Sequence, residues 1–266
     1  MTRPGHPARV VVLGSLNRDY VVQVPRLPSA GQTVVGGGHL QLFSGGKGAN
    51  QAVAAARLGA EVAMVGRVGD DDAGRVLVEG LEADGVDISG VAVDPAAPTG
   101  AALIVVEEGG QNLITVAPGA NAAVGRKELE LALGSLRAGD LLLLQLEIPM
   151  AAVRAAIGRA GAAGARVILN AAPAAKLDPE VLRGLDVLVV NETEARALAG
   201  APAQEAAGLL VRRGPAAVVV TLGERGSLLQ EGGRATEVAP HRVRAIDATG
   251  AGDAFAGGLA AALAAG

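Results

Sequence analysis

Asp253 lies near the end of the run Asp247-Ala-Thr-Gly-Ala-Gly-Asp253-Ala-Phe255, which places an acid inside a glycine turn where a helical pattern begins. The first turn of a helix exposes backbone N–H groups with no intrahelical partner, and the aligned peptide dipoles add roughly half a positive charge there. Anions bind at such a place. Gly250 and Gly252 let the backbone approach a ligand closely, and Asp253 is a carboxylate able to take a proton from a hydroxyl. The chemistry suggested is phosphoryl transfer, and a plain loop-to-helix junction is the bland alternative.

Two further groupings carry polar chemistry. Ser44-Gly-Gly-Lys-Gly-Ala-Asn-Gln51 precedes a helical pattern that runs to Gly59, a residue suited to a helix C-terminus. A nucleotide phosphate loop is excluded by spacing, since Gln41 stands where its first glycine belongs and Gly48 where Ser or Thr would bind magnesium. The glycines instead bring backbone against a small polar ligand, with Lys47 and Asn50 offering donors and an amide to hydroxyl groups. Asn17 and Asp19, two apart after the first apolar run, share one side of an extended chain. An amide beside a carboxylate suits a diol, and an Asx turn would use the same residues.

These residues must be positioned by a scaffold, and its rhythm is plain. Apolar β-rich runs at Arg9–Leu13, Glu61–Val65, Leu141–Leu146, Arg166–Asn170, Asp186–Val190 and Ala216–Thr221 alternate with helical spacing at Gln51–Leu58, Ala73–Ala83, Met150–Ala163 and Gln204–Arg213. That pattern predicts an α/β fold with a mainly parallel sheet covered on both faces and ligands beyond the carboxyl ends of its strands. Asp19–Phe43 and Thr99–Ala117 break the rhythm. Tyr20–Val24, Thr33–Val35, Ala101–Val106 and Asn112–Val116 read as strands without helices between them, predicting a small second sheet that acts as a lid. Its uncovered apolar face would favour closure over substrate or pairing with another subunit.

Composition narrows the function classes. Half of the 266 residues are apolar and the formal charge is −4, which suits a soluble globular chain with a sizeable core. With only Tyr20, Phe43 and Phe255 as aromatics and no Lys/Arg run, nucleic-acid binding is not expected. The absence of cysteine removes thiolate chemistry, and His6, His39 and His241 have no metal-ligand spacing. No apolar stretch reaches the ~20 residues of a membrane span and no leader pattern opens the chain, so a cytoplasmic location is expected. Pro4, Gly5 and Pro7 make the first eight residues a frayed end.

Taken in order, Val12-Leu-Gly-Ser-Leu-Asn-Arg-Asp19, Gly45-Gly-Lys-Gly-Ala-Asn-Gln-Ala52, Val65-Gly-Arg-Val-Gly-Asp-Asp71, Gln145-Leu-Glu147, Asn170-Ala-Ala-Pro173, Asn191-Glu-Thr-Glu194, Thr221-Leu-Gly-Glu-Arg-Gly226 and Asp247–Asp253 resemble the ribokinase (PfkB-type) family of carbohydrate kinases. The resemblance covers nearly the whole chain and implies a single ribokinase-like domain over residues 1–266, a three-layer α/β/α sandwich with a lid formed by about 19–43 and 99–117. It implies ATP-dependent phosphorylation of D-ribose at the 5-hydroxyl, with another sugar or a nucleoside as alternative substrates. Asp253 is then the general base, and the N–H groups of Gly250, Ala251 and Gly252 hold the charge of the transferred phosphate. Asn17, Asp19, Gly45, Gly46, Lys47, Asn50 and Glu147 fall on sugar-binding positions. Asn191, Thr221, Gly223, Glu224 and Gly226 fall on the ATP groove. Glu194 is implied in magnesium placement through water. Asp247 and Thr249 match positions beside a potassium site, and Thr249 could equally be a helix cap. A homodimer formed through the lid is also implied.

The sequence departs from the family where it stops, at Gly266. Family members continue for several tens of residues that close the adenine pocket and complete the potassium ligands. Phe255, Leu259, Ala262 and Leu263 are expected to form an uncovered apolar stripe. The expectation is intact sugar-site residues with weakened nucleotide affinity, and in the extreme a sugar-binding protein with impaired catalysis.

Overall fold

The chain is described by a computed structural model that covers residues 8–245 and 248–266, so the predicted frayed end, apart from its eighth residue, and Asp247 lie outside the described residues. β1 (Val10–Leu13) leads through three residues into β2 (Asn17–Val24), and β3 (Gln41–Gly45) into α1 (Lys47–Arg57). Then follow β4 (Val62–Gly69), α2 (Asp72–Ala83), β5 (Asp87–Asp94), β6 (Gly100–Glu107), β7 (Asn112–Ala117) and α3 (Arg126–Ser135). The second half contains β8 (Leu141–Leu144), α4 (Met150–Ala160), β9 (Arg166–Asn170), α5 (Pro179–Arg183), β10 (Val187–Asn191), α6 (Glu192–Ala199), α7 (Ala203–Val211), β11 (Ala217–Thr221), β12 (Ser227–Glu231), β13 (Arg234–Val238) and α8 (Ala251–Ala265).

The large sheet has nine strands in the order β13-β12-β11-β10-β9-β8-β1-β4-β5, parallel from β11 to β5 with β12 and β13 added antiparallel. The chain moves one way from β1 to β4 and β5, then the other way from β8 to β11. Strand order therefore reverses between β1 and β8, paired from Val10↔Leu141 to Leu13↔Leu144. Such a reversal opens a crevice beyond the carboxyl ends of the two strands.

Side-chain alternation builds two cores from the same strands. Val10, Val12, Leu141 and Leu143 face one layer with α1, α2 and α8, while Val11, Leu13, Leu142 and Leu144 face the other with α3 to α7. Each fully buried leucine contributes about 1.5–3 kcal/mol by leaving water. This is the expected α/β/α sandwich. Among the described residues, no helix is long and apolar enough to cross a membrane.

The small sheet has the order β3-β2-β6-β7 and mixes parallel (β2 with β6) and antiparallel pairing. Phe43, Leu103, Leu113 and Ile114 are about half exposed on it, the uncovered apolar surface that the sequence predicts. Thr33–Val35 is not a strand. Three consecutive glycines, Gly36 to Gly38, follow it, and Gly37 N–H to Gln23 O at 3.0 Å is the contact tying this loop to β2. The predicted strand Leu141–Leu146 ends at Leu144, and the predicted helix Met150–Ala163 ends as a 3₁₀ turn over Gly161–Ala163.

The Val65–Asp71 motif proves to be a fastening between body and small sheet. Asp71 caps α2 by accepting from Gly74 N–H at 2.8 Å and also accepts from Thr99 N–H (2.8 Å) and Thr99 Oγ1 (2.6 Å), just before β6. Arg67 joins Asp94 and the fully buried Glu128 at 2.8 and 2.7 Å. The expected bare stripe on α8 is also revised: Phe255, Leu259 and Leu263 are partly buried against the core layer beneath, and only Ala262 is exposed.

Candidate active site

Two chain corners meet at the crevice between β1 and β8. Gly46 is the N-cap of α1 with φ +90°, and a Cβ there would fall 2.7 Å from the backbone nitrogen of Asn17. A Cβ on Gly48 would fall 2.6 Å from Ser15 N. The glycine run is thus required so that the start of α1 can lie backbone to backbone on the β1–β2 corner.

Glu147, just past β8, fastens that junction. Its Oε2 accepts from Ser15 Oγ (2.6 Å), the Lys47 backbone N–H (3.0 Å) and Asn17 Nδ2 (3.4 Å). Asn17 is buried, and its Oδ1 accepts from Asn121 Nδ2 at 2.8 Å. Asp19 follows on the same face of β2 and packs on Gly45, where any Cβ would collide with its carboxylate. Burial first, then the negative charges of Glu147 and Asp253, push the Asp19 carboxyl up to about 6, against the opposing pull of Arg18 and Lys47.

α8 brings Asp253 to the same place. A Cβ on Gly257 would collide with Gln51 O, so the two helices touch through their smallest residues. One turn earlier on α8, Asp253 is 7% exposed, and its Oδ2 accepts from Asn50 Nδ2 at 3.0 Å and its Oδ1 from Gln51 Nε2 at 2.9 Å. Gln51 Nε2 also donates to Asn170 Oδ1 (3.0 Å), and Gln145 Nε2 donates to Gln51 Oε1 (2.7 Å). α8 starts at Gly250, its left-handed N-cap with φ +72°. Ala251 N–H is bonded to Ala248 O at 3.1 Å, while Gly250 and Gly252 N–H make no such bond among the described residues.

The remaining predicted residues stand along the neighbouring strand ends. Asn191 and Glu194 form a reciprocal cap on α6, Glu194 N–H to Asn191 Oδ1 and Asn191 N–H to Glu194 Oε2, both at 2.8 Å. The Glu194 carboxyl is raised above its usual range by burial, with Asp253 adding to the effect and the Asn191 N–H and Lys47 opposing it. Thr221 pairs with Asn191 across β10 and β11, and Gly223, Glu224 and Gly226 form the turn into β12. Among the described residues, no hydrogen bond or ion pair joins this turn to Asp253. Thr249 is exposed in the turn before α8. No group of three or more His, Cys, Asp or Glu is arranged to hold a metal among the described residues.

The sequence reading names Asp253, Asn50 and the Asn17–Asp19 pair but passes over Ser15, Gln51, Asn121, Gln145 and Asn170 as site residues. A signal for two of them exists: Gln145 and Asn170 are amides at the carboxyl end of a buried apolar run, where a polar side chain needs a reason to be.

The arrangement can hold a hydroxylated ligand between an amide–carboxylate pair and a fixed carboxylate, with a helix start beside it for an anion. Comparison with known proteins gives the same reading. The chain is 38% identical over 260 residues to the ribokinase of Haemophilus influenzae, covering 96% of this chain and 85% of that protein. It is 36% identical to the deoxyribokinase of Salmonella typhi over 255 residues, covering 93% and 83%. Its fold superposes on Arabidopsis thaliana ribokinase, solved in complex with ribose and ATP, with a TM-score of 0.87 at 33% identity, covering 98% of this chain and 87% of that one. The family described as pfkB family carbohydrate kinase matches from residue 7 to residue 266. The chain belongs to the pfkB family and is a carbohydrate kinase.

Proposed function

We propose that this kinase transfers the γ-phosphoryl group of ATP to the 5-hydroxyl of D-ribose, giving D-ribose 5-phosphate and ADP. The observation that carries the reading is Asp253, a buried carboxylate clamped by two amides at the start of α8. Asp253 takes the hydroxyl proton as the 5-oxygen attacks the γ-phosphorus, the bond to the bridging oxygen breaks, and ADP leaves. Charge developing on the phosphoryl oxygens meets the N–H groups of Gly250, Ala251 and Gly252, the second after release of its turn to Ala248 O. Asn17 and Asp19 grip the sugar diol, Lys47, Asn50 and Glu147 complete its shell with the Gly45–Gly46 backbone, and Asn191, Thr221, Gly223, Glu224 and Gly226 line the nucleotide groove.

Glu194 suits a water-shelled magnesium ion: it is an oxygen donor whose carboxyl is raised by burial and by the nearby charge of Asp253, a repulsion that a cation relieves. Magnesium, when bound, neutralises phosphate charge. Thr249 and Asp247 are the residues proposed beside potassium, and no step is assigned to that ion. Residues 1–266 act as one kinase domain whose small sheet is the lid and, through Phe43, Leu103, Leu113 and Ile114, the face of a homodimer. Light scattering at micromolar concentration is expected to give a dimer, and a monomer alone would refute that part.

The Salmonella relative gives deoxyribose standing as a second substrate. Sugar-dependent ADP release with magnesium, ATP and potassium, measured on ribose and deoxyribose beside Asp253→Asn, tests the reading. The expected result is ribose turnover that falls about 10²–10⁴-fold in the variant. Preference for deoxyribose corrects the sugar. Turnover that survives in Asp253→Asn removes the base, and sugar binding without turnover supports a sugar-binding protein with impaired catalysis.

A further inference from the structure

Gln51 is fully buried on the first turns of α1, has every hydrogen-bonding atom of its side chain occupied, and takes no part in the mechanism above. A glutamine can present either end of its amide, and the surrounding bonds decide which. Val189 O is a backbone carbonyl and can only accept, so the Asn170 side chain that reaches it at 3.3 Å must point its nitrogen there. That leaves Asn170 Oδ1 facing Gln51, which fixes the Gln51 nitrogen on that side, in reach of both Asn170 and Asp253. Gln51 Oε1 then faces Gln145, which must donate, and Gln145 Oε1 is left against Gly14 as the one buried side-chain polar atom without a hydrogen-bond partner among the described residues. A Cβ at Gly14 would collide with that oxygen, so the small residue belongs to the same chain of dependence.

We infer that Gln51 is the positioning residue for the base: a backbone carbonyl of β10 sets its amide through Asn170, and it holds Asp253 Oδ1 from the buried side so that Oδ2, beside Asn50, meets the substrate hydroxyl. Both Gln51 N–H bonds are spent and its oxygen is occupied, so it has no site for a proton. The proton taken from substrate stays on Asp253. This inference rests on Asp253 acting as the base.

The test is Gln51→Met, which keeps length and volume, assayed on the sugar with the fastest wild-type turnover. A misplaced reacting group costs about 10²-fold. The expected result is a kcat about 10²-fold lower per folded molecule with sugar KM little changed. Gln51→Met also strands Asn170 Oδ1 and Gln145 Nε2, so a second variant separates fold from position: Gln51→Met with Gln145→Met and Asn170→Leu removes the stranded partners and regains stability. The inference predicts that kcat stays low in this triple variant, and recovery of kcat with stability overturns it. An activity-free readout keeps the two readings apart. In ¹⁵N-labelled protein the Gln51 side-chain N–H₂ signals should move on Asp253→Asn, and unchanged signals overturn the contact whatever the substrate. If Asp253→Asn retains turnover the base assignment fails, whereas loss in Asp253→Asn with normal kcat in Gln51→Met refutes only the role of Gln51.

Discussion

Two regions along the carboxyl ends of the large sheet are built differently. Around β1 and β8, Asn17, Gln51, Gln145 and Asp253 are buried, and each is held by at least one bond to another buried or half-buried group. Around β11 and β12, Gly223 and Glu224 are exposed on a turn, and a Cβ added to Gly223 would meet nothing within 4 Å. The first end is preorganised by polar contacts that would be costly to leave unpaired. The second presents backbone and open space. Under the proposed function, discrimination between sugars belongs to the β1–β8 end, because a site built to hydrogen-bond hydroxyls rejects a ligand that leaves its buried groups unpaired.

That contrast can be broken by matched substitutions. Gly48→Ala should be the most damaging, since its Cβ would press on Ser15 N at 2.6 Å and on the Gly14 carbonyl carbon at 2.7 Å, backbone that cannot step aside. A loss of about 1–3 kcal/mol is expected, with a weaker sugar titration. An unchanged melting curve would mean that the corner yields. Next in size is pH. With Asp19 as the proposed grip on the sugar diol, its ionised form is the stronger acceptor, and with its carboxyl pushed up to about 6 sugar affinity should fall by up to about tenfold per pH unit below that value, a profile that Asp19→Asn should flatten. The sign for stability is opposite. The folded state holds the Asp19 proton more tightly than the unfolded chain does, so this contribution is fully present below the ordinary aspartate value of 3.8 and is lost as pH rises through about 6. Asp19→Asn should therefore melt higher than the parent at pH 8. The smallest effect is expected from Glu224→Ala at the open end, within about 0.5 kcal/mol in stability. A large loss of folding there would show a buried role that its exposure denies.

The fold was legible because its signals are local. Parallel strands buried on both faces read as continuous apolar runs, and the helices between them carry their own period. Strands without that contrast were harder: β13 is polar and largely exposed, β12 is mostly buried yet mixes Ser227 and Gln230 with its leucines, and β5 carries Asp87 and Asp94 at its ends. Asp253 and Asn50 were visible because glycines mark their setting. Gln51 was hidden because one residue along a helix reverses its surroundings from crevice to core, and its partners Gln145 and Asn170 lie 94 and 119 positions away in sequence. The reciprocal cap of Asn191 and Glu194 shows the converse. A motif with a proposed functional role also has a local structural duty, and Glu194 can serve the cap with one oxygen while the other is left for a ligand.

Gly14, Ser15 and Leu16 join the large sheet to the small one, and Asn121 grips Leu16 at both backbone atoms, accepting from its N–H at 2.9 Å and donating to its carbonyl at 3.0 Å. This corner is thus secured by hydrogen bonds in addition to the burial of Leu16, whereas the helical layers on the large sheet are secured mainly by apolar burial. Apolar burial weakens on cooling and hydrogen bonds do not weaken in that way. As temperature drops, the helical layers should loosen before the corner does, so the seat of the ligand keeps its shape in the cold while the body around it softens.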